Sequence, residues 1–270
     1  MCRVLEVSRP RYYQWRAHPI SARAARDAVL ASKIRVAFAT AKRRYGSPRV
    51  GDELREAGER VSDKRVARLM RGAGLRAKRA RPFRVTTDSA HAWPLAANLV
   101  RRPFRVAQPD QVWGADMTFV PTREGWLYLA VVLDLCSRRV IGWAMSTRLD
   151  QHLALRALDM ALQQRRLRAG VIHHSDRGSP YASHAYRARL AAHGVRCSMS
   201  RAGDCWDNAM VESFFATTKG EVEEAVWPTR DAARSELVEY LEGWYNRRRR
   251  HSSLGSVSPV EFERRLRTAA

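Results

Sequence analysis

Three acidic residues in dissimilar settings stand out for the chemistry they could do together. Asp176 lies in the run His173-His174-Ser175-Asp176-Arg177-Gly178-Ser179, and Glu212 in Asp207-Asn208-Ala209-Met210-Val211-Glu212-Ser213, with 35 residues between the two acids. Upstream, Asp116 interrupts the apolar run Trp113-Gly114-Ala115-Asp116-Met117-Thr118. Carboxylate oxygens are what hard divalent cations such as Mg²⁺ take as ligands while keeping several waters. Two such ions can clamp the attacking and leaving oxygens of an in-line phosphoryl displacement. Taken singly, each acid has a plainer reading, as a strand-edge Asp or a solvated helical Glu. Asp134, which closes an apolar strand, is a rival that geometry has to exclude.

The elements that must position these acids follow from periodicity. Val112 to Val120 alternates, Trp126 to Leu135 is a near-continuous apolar strand, and Arg138 to Ser146 is a third strand after a short turn at Cys136-Ser137. A helix from Gln151 to about Arg168 carries Leu153, Leu155, Leu158, Met160 and Leu162. The strand Val171 to His174 runs into Asp176, and a helix (Ser183 to His193) and a strand (Val195 to Met199) follow. Glu212 then falls on a helix whose start is marked by Gly203 and Asp204. This β-β-β-α-β-α-β-α order predicts a mixed α/β sheet with helices packed on it. Asn208, Glu212 and Lys219, at i, i+4 and i+11, share one helix face, with Phe215 to one side. There Glu212 suits a metal, while Lys219 suits a DNA phosphate or base. His173 and His174 are adjacent on a strand and point opposite ways, so at most one lies near the site and the other is structural. Ser175 and Ser179 read as loop-orienting residues, and Tyr181 and Trp206 as packing rather than base stacking. A last helix from about Thr229 to Arg250 ends in a basic run that includes Arg247 and Arg250.

Charge says what the site is brought to. The net charge is +22, and it is uneven: residues 1–108 hold 26 Lys+Arg against 8 Asp+Glu. Mutational bias explains why 44 of the 49 basic residues are Arg, but not why the front of the chain is the basic part. A polyanion partner explains that. In the front part, apolar positions Val29, Ile34, Ala37 and Phe38 recur at helical spacing. Pro48 to Ala57 and a second helix capped by Ser62 then form a helix-turn-helix over about 45–78. Its second helix presents Lys64, Arg65, Arg68 and Arg71 to DNA. The plainer alternative is a small bundle with solvated arginines. Residues 1–20, basic with Tyr12, Tyr13 and Trp15, read as a short helix or as the edge of a module supplied by another chain. Residues 81–108 are a basic, Pro-rich linker that Trp93 and Phe104 would anchor. The domain reading is thus a helical region over 1–80, the linker, a catalytic core over 109–225, and a C-terminal helix and tail over 226–270. Four cysteines without a C-x-x-C pair argue against a zinc ribbon or disulfide framework and fit a reducing cytoplasm. The N-terminus is broken by charges and does not resemble a secretory signal. The longest apolar run, Trp126 to Leu133, is too short to span a bilayer.

These motifs resemble the DDE superfamily of transposases and retroviral-type integrases. The match is closer still to the second-frame (OrfB) transposases of bacterial insertion sequences, through Trp113-x-x-Asp116-x-Thr118, Gly125-Trp126-Leu127-Tyr128-Leu129, Asp134-Leu135-x-Ser137-Arg138 and His174-Ser175-Asp176-Arg177-Gly178-Ser179. Ser198 to Ala209 and Tyr245-Asn246 to Pro259 extend the likeness, and the front part resembles that family's helix-turn-helix. The resemblance implies a ribonuclease H-like core, with Asp116, Asp176 and Glu212 as catalytic metal ligands for Mg²⁺ or Mn²⁺, two ions in all. It implies cleavage at transposon ends and strand transfer into target double-stranded DNA, without a covalent enzyme intermediate. It also implies fusion to the product of an upstream reading frame, a homo-oligomer on DNA, and work in the bacterial cytoplasm at the nucleoid. The zinc domain that precedes retroviral cores is lacking, so the likeness is to the bacterial branch. A DNA-binding regulator that has lost catalysis and a ribonuclease H-like nuclease are the alternatives.

Overall fold

Alternation and burial set the sheet. The computed structural model describes residues 2–17, 20–78, 95–100, 106–167, 169–201, 208–222 and 226–269. It divides into two compact units, residues 1–78 and 79–270.

In the first unit, helix α1 (Arg9–Ala17) buries nothing, and α2 (Ala22–Thr40) buries Leu30, Ile34 and Phe38 at i, i+4 and i+8. The expected core position Val29 is instead 58% exposed. The stripe is offset by one residue, which keeps Leu30 in register with the other two. Helices α3 (Ser47–Glu56) and α4 (Asp63–Gly72) pack together through Val50, Leu54, Val66 and Met70. Pro48 stands in the first turn of α3, and Ser62 Oγ accepts the Arg65 N–H at the start of α4.

The second unit is built on a five-stranded sheet. Strands β1 (Val112–Thr122), β2 (Gly125–Asp134) and β3 (Val140–Ser146) form an antiparallel meander. Helix α5 (Gln151–Gln164) then crosses to β4 (Ile172–Ser175), which pairs parallel with β1. The short α6 (Ser179–Ala182) and α7 (His184–Ala192) lead to β5 (Arg196–Met199), parallel to β4. The order β3-β2-β1-β4-β5 is the ribonuclease H-like arrangement. The inner part of β2 is buried, whereas Trp126 at its outer end is 51% exposed, so the strand is covered on both faces only inward of that end. Helix α5 ends at Gln164, short of the expected Arg168, and it lies directly on β3: a Cβ at Gly142 would stand 2.1 Å from the Ala157 carbonyl oxygen. Four-residue α6 had no periodicity to announce it.

Helix α8 (Ala209–Glu221) starts at Ala209 with Asn208 in the cap position. The residues expected to mark its start, Gly203 and Asp204, lie outside the described residues, as do Trp93, Phe104, Trp206 and most of the proposed linker. The expected single helix to Arg250 is corrected. Helix α9 (Arg230–Val238) widens into a π-helical segment, Glu239–Tyr245, after which the chain turns. A 3₁₀ turn at Ser252–Leu254 precedes α10 (Pro259–Ala269), where a short tail was expected. Non-local bonds produce the break. The Asn246 side chain donates to the Val140 carbonyl and accepts the Val140 N–H, both at 2.9 Å, so it stands in for a neighbouring strand at the sheet edge.

Candidate functional site

The β1–β4 register brings two of the three acids together. Ala115 pairs with Ser175 in the parallel ladder, so Asp116 and Asp176 leave neighbouring strands at one level. Asp116 Oδ1 accepts the Met117 N–H at 2.7 Å, and Asp176 Oδ1 accepts the Gly178 N–H at 2.9 Å. Gly178 leaves room for this, because a Cβ there would approach Asp176 Oδ1 to 3.0 Å. Helix α8 carries Glu212 over β1 because Gly114 has no side chain: a Cβ would meet Val211 Cγ2 at 2.7 Å. The Asn208 amide fastens the start of α8 by donating to the Ala115 carbonyl at 3.4 Å.

The charges of these groups act on one another. Asp116 is half-exposed by surface area yet ringed by protein, and this desolvation raises its pKa well above the usual carboxylate range. The charge of Asp176 and, less strongly, that of Glu212 raise it further, against the Met117 N–H and Lys219. Desolvation also raises Glu212, in the first turn of α8, and lowers Lys219, which the Asp116 charge partly restores. The donor set of three carboxylates suits a hard divalent cation, whose charge would relieve their repulsion. As they stand, no three His, Cys, Asp or Glu side chains among the described residues are gathered tightly enough to hold one. Lys219 also lines an apolar cavity of about 250 Å³ walled by Phe119, Trp126, Phe215 and Trp227.

The rival acid is occupied otherwise. Asp134 is fully buried; its Oδ1 accepts the Ser137 and Cys136 N–H groups at 2.7 and 3.1 Å, and its Oδ2 accepts the Asp110 N–H at 2.7 Å. It builds the β2–β3 turn. Both histidines are structural. His173 Nε2 bonds the Tyr186 hydroxyl, and His174 bonds Ser198 Oγ through Nδ1 and Ser200 Oγ through Nε2. Ser175 Oγ donates to the Asp176 carbonyl, and Tyr181 is packed among His173 and Tyr186.

The predicted DNA contacts fare unevenly. Lys64 and Arg71 are exposed on α4. Arg65 and Arg68 are instead held by the Asp27 carboxylate of α2 at 2.7 and 2.6 Å, so they do not all project freely as expected. Asn208 is buried rather than facing DNA, because its amide is spent on the strand. Arg247 is exposed, while Arg250 is half-buried and donates to the Ser256 carbonyl at 3.0 Å. Sequence reasoning missed Asp27, Gly114 and Glu263. Only Gly114, set inside a β-rich run, carried a local signal of close approach.

Comparison with known proteins accords with this geometry. Residues 106–205 and 193–259 match integrase core domain models, and residues 24–83 match an HTH-like domain. The chain is 44% identical over 271 residues to an insertion element IS600 31 kDa protein of Shigella sonnei, covering 100% of each. It is 46% identical over 266 residues to the transposase InsF for insertion sequence IS3A of Escherichia coli K12, covering 97% of this chain and 92% of that one. The HTLV-2 integrase catalytic core domain in complex with magnesium overlays with a TM-score of 0.44 at 14% identity, over 59% of this chain and 99% of that one. Near-full-length identity to a transposase favours that reading over an inactive regulator or a simple nuclease. A ribonuclease H-like integrase core behind a helix-turn-helix-like domain, at this identity, places the chain in the IS3-type family of insertion-sequence DDE transposases.

Proposed function

We propose that the cleft of Asp116, Asp176 and Glu212 is where this transposase cuts the ends of its element and joins the freed 3′-OH to target DNA. One observation supports the reading: the β1–β4 register sets Asp116 and Asp176 at one level, and α8, packed on β1 at Gly114, carries Glu212 and Lys219. Asp116, Asp176 and Glu212 would hold Mg²⁺ or Mn²⁺, two ions by the resemblance. Such ions, when bound, lower the pKa of water and neutralise charge on the attacking and leaving oxygens. The protein's own groups do the rest. Asp116 and Glu212 must be ionised to act as ligands, and their raised proton affinities make protons compete for them. Lys219, the only lysine beyond residue 78, would grip a phosphate beside the scissile bond with a compact ammonium that can follow its movement.

Lys64 and Arg71 of α4 would approach transposon-end DNA first, with Arg65 and Arg68 joining where phosphates displace Asp27. Arg247 would meet DNA from the core. A fused upstream-frame product and a homo-oligomer on DNA belong to the same proposal, as does work in the cytoplasm at the nucleoid. Among the described residues no helix is long and apolar enough to cross a membrane. The test uses the full chain with end DNA and Mg²⁺. Glu212→Gln should abolish both end cleavage and strand transfer while leaving DNA binding nearly intact. Joining at the wild-type rate would contradict the assignment.

A further inference from the structure

The apolar cavity beside Lys219 continues the face that carries the acids. Asp116, Thr118 and Val120 alternate along β1, so they point to one side of the sheet, and the last two line the cavity. Glu212, Phe215, Lys219 and Val222 follow at i, i+3, i+7 and i+10 along α8 and its cap, and the last three line it too. Two strand residues span about 7 Å. The cavity therefore begins within about two stacked nucleotides, at about 3.4 Å each, of a group held at the acids.

Its walls are fixed by the fold. The Trp227 N–H donates to the Pro121 carbonyl at 3.1 Å, the Trp227 carbonyl accepts the Arg123 N–H at 2.9 Å, and the indole N–H is held by Glu236 at 2.7 Å. The Thr218 hydroxyl donates to the Phe214 carbonyl at 3.0 Å. Phe215 and Trp227 are buried, whereas Trp126, edge-on to Phe119 with centroids 5.7 Å apart, is 51% exposed and forms the rim. A volume of about 250 Å³ exceeds the roughly 150 Å³ that holds a benzene ring and falls short of the roughly 300–1,000 Å³ of drug-sized ligands. It suits one planar ring system. Among the described residues that line it, Lys219 alone is charged, so the ligand it fits joins a ring to an anion. On a transposase with a net charge of +22, a nucleotide of the bound DNA is that ligand.

We propose that this cavity takes one unpaired nucleobase of the element's end DNA, stacked against Trp126 with its phosphate at Lys219. Leaving the duplex stack costs energy, least where pairing is already weak, and stacking on an aromatic ring offsets it. The walls offer rings rather than hydrogen-bonding groups, so the identity of the base matters little. The proposal rests on Asp116, Asp176 and Glu212 being the transfer site, which puts the base beside the scissile phosphate. Full-length wild type, Trp126→Ala and Trp126→Phe are titrated, in chelator at a fixed salt concentration, with end duplexes that carry an abasic site at one position at a time. With intact DNA, Trp126→Ala should bind about ten-fold more weakly, and Trp126→Phe should recover most of the loss. With the abasic site within about two nucleotides of the scissile phosphate, Trp126→Ala should bind as wild type does. Exchanging that base for any other should leave the ten-fold difference in place. A loss in Trp126→Ala that persists at every abasic position overturns the proposal, since the indole would then hold the DNA backbone, a neighbouring chain or the fold. Wild-type affinity of Trp126→Ala for intact DNA also overturns it, and neither result touches the acids. Loss of the difference only at a position remote from the scissile phosphate supports the base site and overturns the reading of the acids as the place of cleavage.

Discussion

Two clusters of acids lie in the same unit, one buried and one half-buried, and they are built on opposite rules. At the β2–β3 turn, Asp134 and Glu263 are surrounded by donors. Glu263 accepts Arg139 at 2.8 Å and is paired with Arg165, and Ser137 Oγ lies 2.7 Å from Glu263 and 2.9 Å from Asp134. Burial alone would raise Glu263, but Arg165, Ser137 and Arg139 outweigh it and hold the carboxyl below its usual range. In the cleft, Asp116 has one N–H and two other acids for company. Burial raises both Asp134 and Asp116, yet at Asp134 the neighbours oppose the shift and at Asp116 two of them compound it. Acids that the fold satisfies hold it together. Acids with so few donors are the ones the proposed chemistry would use.

That contrast can be broken at the satisfied cluster first. Glu263→Ala strands two arginines around a buried gap and should cost about 3–5 kcal/mol of stability. Chemical denaturation would read this, while strand transfer per folded molecule should stay near wild type. An equal loss of chemistry would mean that the clusters are not separate. Gly114→Ala comes next. The added methyl meets Val211 and Leu135 side-chain ends, which can give, so the stability cost should be about 1–3 kcal/mol. Because α8 carries Glu212, cleavage should fall by more than the fraction unfolded accounts for. A drop that merely tracks stability would refute this positioning role.

The unsatisfied cluster predicts a gain. In metal-free protein Asp116→Asn should be stabilising, by about 1 kcal/mol, the scale of one pKa unit. The sign follows from the raised pKa. Protonated Asp116 supports the fold at low pH, and that support is lost as pH rises through the folded value. The gain should therefore be present at pH 8 in chelator and shrink at pH 5. A loss at pH 8 would contradict it. The smallest effect concerns His173, which burial first and the charge of His174 second lower to a pKa of about 3. The unfolded chain takes up a proton below about 6.5 while the folded chain refuses it until about 3, so stability falls across that window. His173→Gln should flatten this acid branch relative to wild type in thermal melts at stepped pH.

Much of the fold was legible because its signals are local. The alternation of Val112 to Val120 and the recurring apolar residues of α5 require no partner to be read. Asp116, Asp176 and Glu212 stood out for the same reason, each inside a distinctive run. What could not be read depends on contacts distant in the chain. The tie from Asn246 to Val140 spans 106 residues and the bond from Ser137 to Glu263 spans 126, and these explain why the last helix breaks and why α10 exists. The Asp27 clamp on Arg65 and Arg68 turned residues expected to reach DNA into residues also holding two helices together. Asn208 shared a helix face with Glu212 on paper, but its place in the cap put it against β1. A helical wheel gives direction around an axis, not what stands there.

Asp116, and not the fully buried Asp134, is the acid assigned to the chemistry. This assignment is tested most directly by the rate of Mg²⁺-dependent strand transfer from a pre-cleaved transposon end, normalised to the end DNA bound. Wild type, Asp116→Asn and Asp134→Asn would be measured as full chains. Asp116→Asn should lose about a hundred-fold or more, the scale of several kcal/mol of transition-state charge stabilisation. Asp134→Asn should stay within about ten-fold for the molecules that remain folded. Strand transfer at the wild-type rate by Asp116→Asn would contradict the account.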